Sequence, residues 1–178
     1  MSSNQNFLHH KYTVVDVETT GLSANFNRII EIAAVRVSDG KVQEEYFHSI
    51  VNPMEEVSLF ILALTGIPRD EIIAAPSIEQ VFPGFLQFLG EDSIFVAHNA
   101  KFDMSFINQE LKRYYWKPIS NPVIDTVTLA RQKVPGLRSY SLQSLIYHFG
   151  FDHKKNHRAL DDAKITARLL INLLSNGN

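Results

Sequence analysis

The chain has 178 residues, 45% of them hydrophobic, and its 17 basic and 19 acidic side chains leave a formal charge of −2 at pH 7. That length and apolar share suffice for one packed domain, and the near-neutral balance excludes a protein held on nucleic acid by phosphate contacts alone. A site that handles phosphates through bound metal ions is not excluded, because the ions bring their own positive charge, whereas the lack of cysteine rules out disulfides, thiolate metal sites and a cysteine nucleophile.

Residues 1–11 are polar and aperiodic and read as a flexible tail, in which the adjacent His9 and His10 carry no ligand signal. The start has neither the basic n-region nor the apolar h-region of a secretory signal, so a cytoplasmic location and no membrane contact are expected. From Tyr12 to Leu22 the chain is apolar and β-branched except for Asp16 and Glu18. Alternate side chains of a strand share a face, so these two acids point the same way while Val15 and Val17 point into packing. Like charges at that spacing cost free energy unless a cation sits between them, and hard divalent metals prefer carboxylate oxygens. The strand thus reads as half of a metal site; the plainer alternative is an edge strand with two solvated acids. Thr19-Thr20-Gly21-Leu22 is its sharp exit.

Arg28–Val37 is a second β-branched run, and the turn Ser38-Asp39-Gly40-Lys41 leads into a third, Val42–Val51, completing a hairpin. The apolar stretch Val57–Ile67 is too short to span a bilayer and is expected to form a buried helix that breaks at Thr65-Gly66-Ile67-Pro68. Ser77 is placed to cap a further helix with Val81, Phe85, Phe88 and Leu89 on one face. Ser93–Ala97 reads as an internal strand. After it, Phe102, Phe106, Ile107 and Leu111 take helical spacing from Ala100 onward, which puts Asp103 in the first helical turn. The helix dipole favours an acid there whatever its role.

Pro118 and Pro122 interrupt the chain, and Asp125 is expected to cap the next helix, outside any metal site. Ser141–Phe149 is an amphipathic helix ending at Gly150, with His148 on its surface. The last helix begins near Arg158 and runs to about Leu174. Asp161 aligns with Lys164 and Arg168 on a solvated stripe, whereas Asp162 aligns with Ile165, Thr166, Leu169 and Leu173 and is the acid turned inward. His157 sits at the mouth of this helix. With no repeat or linker, one domain over 12–174 is expected, with short tails at 1–11 and 175–178.

Three segments therefore each carry an inward acid near the end of an element: Asp16-Val-Glu18-Thr-Thr-Gly-Leu, His98-Asn-Ala-Lys-Phe-Asp103, and His157-Arg-Ala-Leu-Asp-Asp162. Their order and spelling resemble the DEDD exonucleases of the histidine-bearing (DEDDh, DnaQ-like) subgroup, similar to the proofreading epsilon branch associated with bacterial DNA polymerase III. The resemblance covers Tyr12 to about Leu174. It implies an α/β, ribonuclease H-like fold: a five-stranded mixed sheet flanked by helices, whose weakly visible fifth strand would lie near Pro122–Ile124.

It also implies a two-metal-ion phosphodiesterase that releases nucleoside 5′-monophosphates from a 3′ end. Four carboxylates would hold two Mg²⁺ or Mn²⁺ ions about 3.5–4 Å apart, one activating water and the other stabilising the leaving 3′-oxygen. By this resemblance Asp16 bridges the ions, Glu18 and Asp162 complete the water-activating site, Asp103 supports the second ion, and His157 is the general base, a role that needs a neutral imidazole. Thr19, Thr20 and Gly21 would offer backbone donors to the terminal nucleotide, Leu22 would wedge against a base, and His98, Asn99 and Phe102 would line the pocket.

Thr-Thr-Gly in the first motif, where oligoribonucleases have Met-Thr-Gly, favours the proofreading-like branch and DNA as substrate. Where epsilon commonly has a histidine this chain has Thr65, which weakens the expectation of a substrate contact there. The Leu-Thr-Gly-Ile spelling resembles domains built into larger polymerase or helicase-like chains. The chain stops soon after the last helix, without the extension by which epsilon docks on its polymerase, so a polymerase or larger parent chain and a free-standing enzyme are both open. RNA 3′-end trimming is the rival activity, since the same site hydrolyses either polymer. An inactive nucleic-acid-binding or polymerase-docking module is the rival of another class, and should have lost one of the five residues, all of which are present.

Overall fold

A computed structural model describes residues 10–152 and 157–175 of the chain. Residues 1–9, with His9 and most of the expected tail, lie outside the described residues; the chain is already in place at Lys11, whose carbonyl accepts from the Ile94 N–H at 2.8 Å.

β1 (Tyr12–Thr19), β2 (Ile29–Ser38) and β3 (Lys41–Ile50) form an antiparallel meander. β4 (Ile94–Ala97) then pairs parallel to β1 and β5 (Val123–Asp125) parallel to β4, giving a five-stranded mixed sheet in the order β3-β2-β1-β4-β5. The acid-bearing strand is thus the middle one, and the edge-strand alternative for Asp16 and Glu18 falls away. Odd-numbered β1 residues Val15 and Val17 pack with Phe82 and Phe85 of α3 (Ile78–Leu89) and with Phe106, Ile107 and Leu111 of α4 (Ala100–Arg113). Even-numbered Tyr12 and Val14 face the opposite layer, where Ala159, Ala163, Ala167 and Leu170 of α7 (Ala159–Ser175) lie on the sheet. Three alanines at intervals of one turn let that helix backbone come close. By strand alternation Asp16 and Glu18 belong to the α7 side.

Between β3 and α3 run two short helices, α1 (Leu59–Thr65) and α2 (Arg69–Ala74). Here the expectation of a buried helix is corrected: Ile61 and Thr65 are inside, but Leu59 is 77% and Phe60 73% exposed. A two-turn helix can bury only one stripe, and that stripe joins Ile30, Val57, Ile67 and Ile72 in a small satellite cluster. The break at Gly66 is as read, with φ of 68° closing α1. α2 went unread because six residues hold too few turns to show a period.

α5 (Thr126–Lys133) is capped by Asp125, whose carboxylate accepts from the Val127 N–H at 3.0 Å, and α6 (Leu142–Phe149) ends at a left-handed Gly150. Leu145 of α6 and Ala130 of α5 pack on Leu169 and Leu173 of α7. Ser175 belongs to α7 rather than to a tail. Among the described residues no helix is long and apolar enough to cross a membrane.

Candidate active site

β4 pairs with β1 only as far as Val14↔Val96. Beyond that point the Val17 N–H donates to Asp103 Oδ1 at 3.2 Å, so a buried carboxylate of α4 is tied directly to β1 between Asp16 and Glu18. The chain reaches that position through a tight turn: Asn99 is left-handed (φ 67°), and its N–H donates to Asp125 Oδ1 at 3.0 Å. From the other layer α7 brings Asp162 in its first turn, half-buried, while neighbouring Asp161 is exposed beside Lys164 and Arg168. His157 precedes α7, and one ligand atom each from Glu18, His157 and Asp162 lie within 4.8 Å of one another.

The electrostatics mark this as a place built for positive charge. Burial, then the charges of Asp103, Glu18 and Asp162, hold the Asp16 carboxyl well above the usual carboxylate range. Glu18 is pushed up to about 8 by burial, followed by Asp162, Glu31 and Asp103, with Arg158 pulling the other way. Asp103 is also pushed up to about 8, by burial, although the N–H groups of Val17 and of its own residue oppose this. Carboxylates crowded into one half-dry site repel one another until a cation enters. Their oxygens suit hard divalent ions, so the donor set fits the metals that the sequence implies.

The expected substrate contacts divide. Thr19 Oγ1 donates to the Gly21 carbonyl at 2.6 Å. The Thr20 N–H donates to the Arg28 carbonyl at 2.9 Å, while its hydroxyl donates to Glu55 and accepts from the Arg28 N–H. Thr20 is therefore occupied in shaping the turn, and the expectation that its amide is free for a nucleotide is corrected. Gly21 is needed for close approach, since a Cβ would stand 2.7 Å from the Asn27 amide. Leu22 (89% exposed) and nearby Phe26 (82%) project from this loop. His98 is half-buried, its Nδ1 2.9 Å from Thr126 Oγ1, and burial holds its pKa below the ordinary value. Phe102 is half-buried with its ring 4.9 Å from Phe106, and Asn99 is exposed. Thr65 is buried, its hydroxyl donating to the Ile61 carbonyl, in keeping with the weakened expectation of a contact there.

Two buried acids escaped the sequence reading. Glu110 of α4 binds Arg28 (3.0 Å) and Arg113 (2.7 Å), and Arg113 donates to the carbonyls of Ala24, Asn25 and Asn27, clasping the β1–β2 loop. Glu31 of β2, cross-strand from Glu18, binds Arg158, His48 and the Ala159 N–H. The signal for Glu31 was available: one acid inside Ile29-Ile-Glu-Ile-Ala-Ala-Val35 raises the same question as Asp16 does in β1.

Comparison with known proteins agrees with this geometry. The exonuclease family model RNase_T matches residues 13–170. DNA polymerase III subunit epsilon of Aquifex aeolicus is 39% identical over 174 residues, covering 98% of this chain and 85% of that protein. The PolC-type DNA polymerase III of Oceanobacillus iheyensis is 41% identical over 172 residues; the match takes in 97% of this chain but only 12% of that much longer polymerase. Among solved structures, exonuclease X in complex with 5′-overhanging duplex DNA superposes with a TM-score of 0.74 at 32% identity, covering 92% of this chain and 90% of that one. The nuclease domain of 3′hExo, a DEDDh family member bound to rAMP, gives 0.83 at 22% identity over 95% and 94%, which speaks for the fold. Such exonucleases generally use divalent metal ions. With that model matched over residues 13–170, the chain belongs to the exonuclease family, and its fold is the ribonuclease H-like one that its three motifs implied.

Proposed function

We propose that this domain is a metal-dependent 3′–5′ exonuclease that removes nucleotides from single-stranded or frayed DNA ends, in the manner of a proofreading domain. The observation that carries the reading is the convergence of Asp16, Glu18, Asp103 and Asp162, from a central strand and two helix starts, with His157 beside two of them. Asp16 shares a face of β1 with Glu18 and adjoins Val17, whose N–H donates to Asp103, which makes it the natural shared ligand. Mg²⁺ or Mn²⁺ ions held by these carboxylates would polarise the attacking water and neutralise charge on the leaving 3′-oxygen. The His157 imidazole takes the proton of that water as general base. Leu22 and Phe26, with Leu59 and Phe60 of α1, give exposed apolar surface for unstacked bases, on segments linked by the Thr20–Glu55 hydrogen bond of 2.7 Å. DNA is favoured over RNA because the epsilon and PolC-type relatives belong to DNA polymerases. The same relatives support attachment to a polymerase, as a subunit or within a larger chain.

The test is a gel assay with Mg²⁺ or Mn²⁺ on single-stranded DNA, mismatched-end duplex and RNA of matched sequence. Stepwise shortening of the DNA from its 3′ end is expected, fastest on the frayed and single-stranded forms. No product on any polymer would sink the nuclease reading, and faster loss of RNA would move it to RNA trimming.

A further inference from the structure

His157 stands at φ 39°, a left-handed backbone that a non-glycine residue keeps only when its surroundings enforce it. The enforcement is visible in the next two residues. Arg158 Nε donates to both oxygens of Glu31, at 3.1 and 3.3 Å, Nη2 donates to Oε1 at 2.9 Å, and the Ala159 N–H donates to Oε2 at 3.0 Å. Arg158 is also where α7 starts, since its carbonyl accepts from the Asp162 N–H at 3.0 Å. Glu31 is fully buried, and His48 Nε2 lies 2.8 Å from Oε1, the oxygen that also takes Arg158 Nη2. Two planar groups bonded in this bidentate way fix orientation as well as distance.

We propose that Glu31 is a positioning residue: through the Arg158 guanidinium and the Ala159 N–H it fixes the start of α7, and with it the place of His157 against Glu18 and Asp162. The inference rests on the reading of His157 as general base. A carboxylate in the middle of β2 is well suited to the task, because its strand is paired along β1 and its cross-strand neighbour is Glu18 itself. Base and acid are thereby gauged against the same two strands.

The test uses Glu31→Gln, Arg158→Gln and His157→Ala, singly and as the two double variants with His157→Ala, with single-turnover cleavage of saturating single-stranded DNA and Mn²⁺ binding by calorimetry. Glu31→Gln and Arg158→Gln are each expected to slow the chemical step roughly tenfold to a hundredfold, the scale of a small misplacement of a reacting group. Both should leave Mn²⁺ affinity unchanged, and both should add little to the loss already caused by His157→Ala. Wild-type rates in the single variants would overturn the proposal. So would full additivity in the double variants, or a loss of Mn²⁺ affinity as large as that expected of the ligand variant Asp162→Ala. Should Glu31→Gln fail to fold, Arg158→Gln decides, since that side chain is about a third exposed. His157→Ala at full rate would remove both the base and this inference, whereas additive losses with a crippled His157→Ala would leave the base standing and remove Glu31 alone.

Discussion

At the scale of single residues the two adjacent acids of α7 give the sharpest contrast. Asp161→Ala should leave cleavage unchanged and shift stability by no more than about 0.5 kcal/mol, as at ordinary surface positions. Asp162→Ala should lower the rate on the order of 10²–10³, the effect of removing one preorganised electrostatic group. Equal effects in the gel assay would mean that the face assignment is wrong. His157→Ala should cost about 10²–10⁴ in rate, as for a lost general base, with Mn²⁺ affinity kept; lost affinity would make it a ligand instead. The raised carboxyls carry a second consequence. With Glu18 and Asp103 near 8 when folded, against about 4 in an unfolded chain, the metal-free native state holds the extra protons between those values. Their contribution to stability is therefore present at low pH and is lost as pH climbs toward 8. His98, with its lowered pKa, acts in the opposite sense, so the readout is a difference: thermal unfolding in EDTA of wild type against Asp103→Asn. The variant's advantage should widen from pH 5 to pH 8, and an advantage that narrows would refute the assignment.

At the scale of elements, α4 does two jobs, offering Asp103 to β1 from its first turn and holding the β1–β2 loop by Glu110 and Arg113 near its last. Removing one member of such a buried pair leaves uncompensated charge, so Glu110→Ala should cost about 3–5 kcal/mol in urea unfolding. Because the clasped loop carries Leu22 and Phe26, KM for single-stranded DNA should rise as well; an unchanged KM would separate the loop from substrate binding. Elements with a long period or a strong turn signal could be read from the chain: the hairpin, α4, and both faces of α7, where the alternation of Asp161 and Asp162 sufficed. β5 was only dimly readable, since three residues bonded to one neighbour leave no pattern. The exposed face of α1 was misread because Leu59 and Phe60 look like core by composition, and composition cannot say how many sides of a two-turn helix find a partner. The distant partners of Glu31 and Glu110 could not be read: Arg158 and Arg28 lie 127 and 82 residues away, and no local spacing encodes those pairs.

At the scale of the whole molecule, the order of the sheet brings the downstream end of β1, the start of α4 and the start of α7 to one place. A ligand that binds there binds only the folded chain, so Mg²⁺ or Mn²⁺ at a hundred times its dissociation constant should add about 2.7 kcal/mol of stability. Adding EDTA should remove that gain in a thermal melt, and a melting curve indifferent to metal would count against the site. The same arrangement has a consequence in time. β1 is made before α4 and α7, since chains form from the N-terminus at about 5–20 residues per second, and His157 and Asp162 come only with the start of α7. A growing chain that has reached Asp103 but not α7 carries three of the acids but neither Asp162 nor His157, while the apolar face of β1 that Ala163 and Ala167 will cover stands open. Chains stalled before residue 157 should bind little metal and cut nothing. Catalytic competence then arrives only once α7 has been made, so that a chain stalled short of it is harmless to the nucleic acid around it.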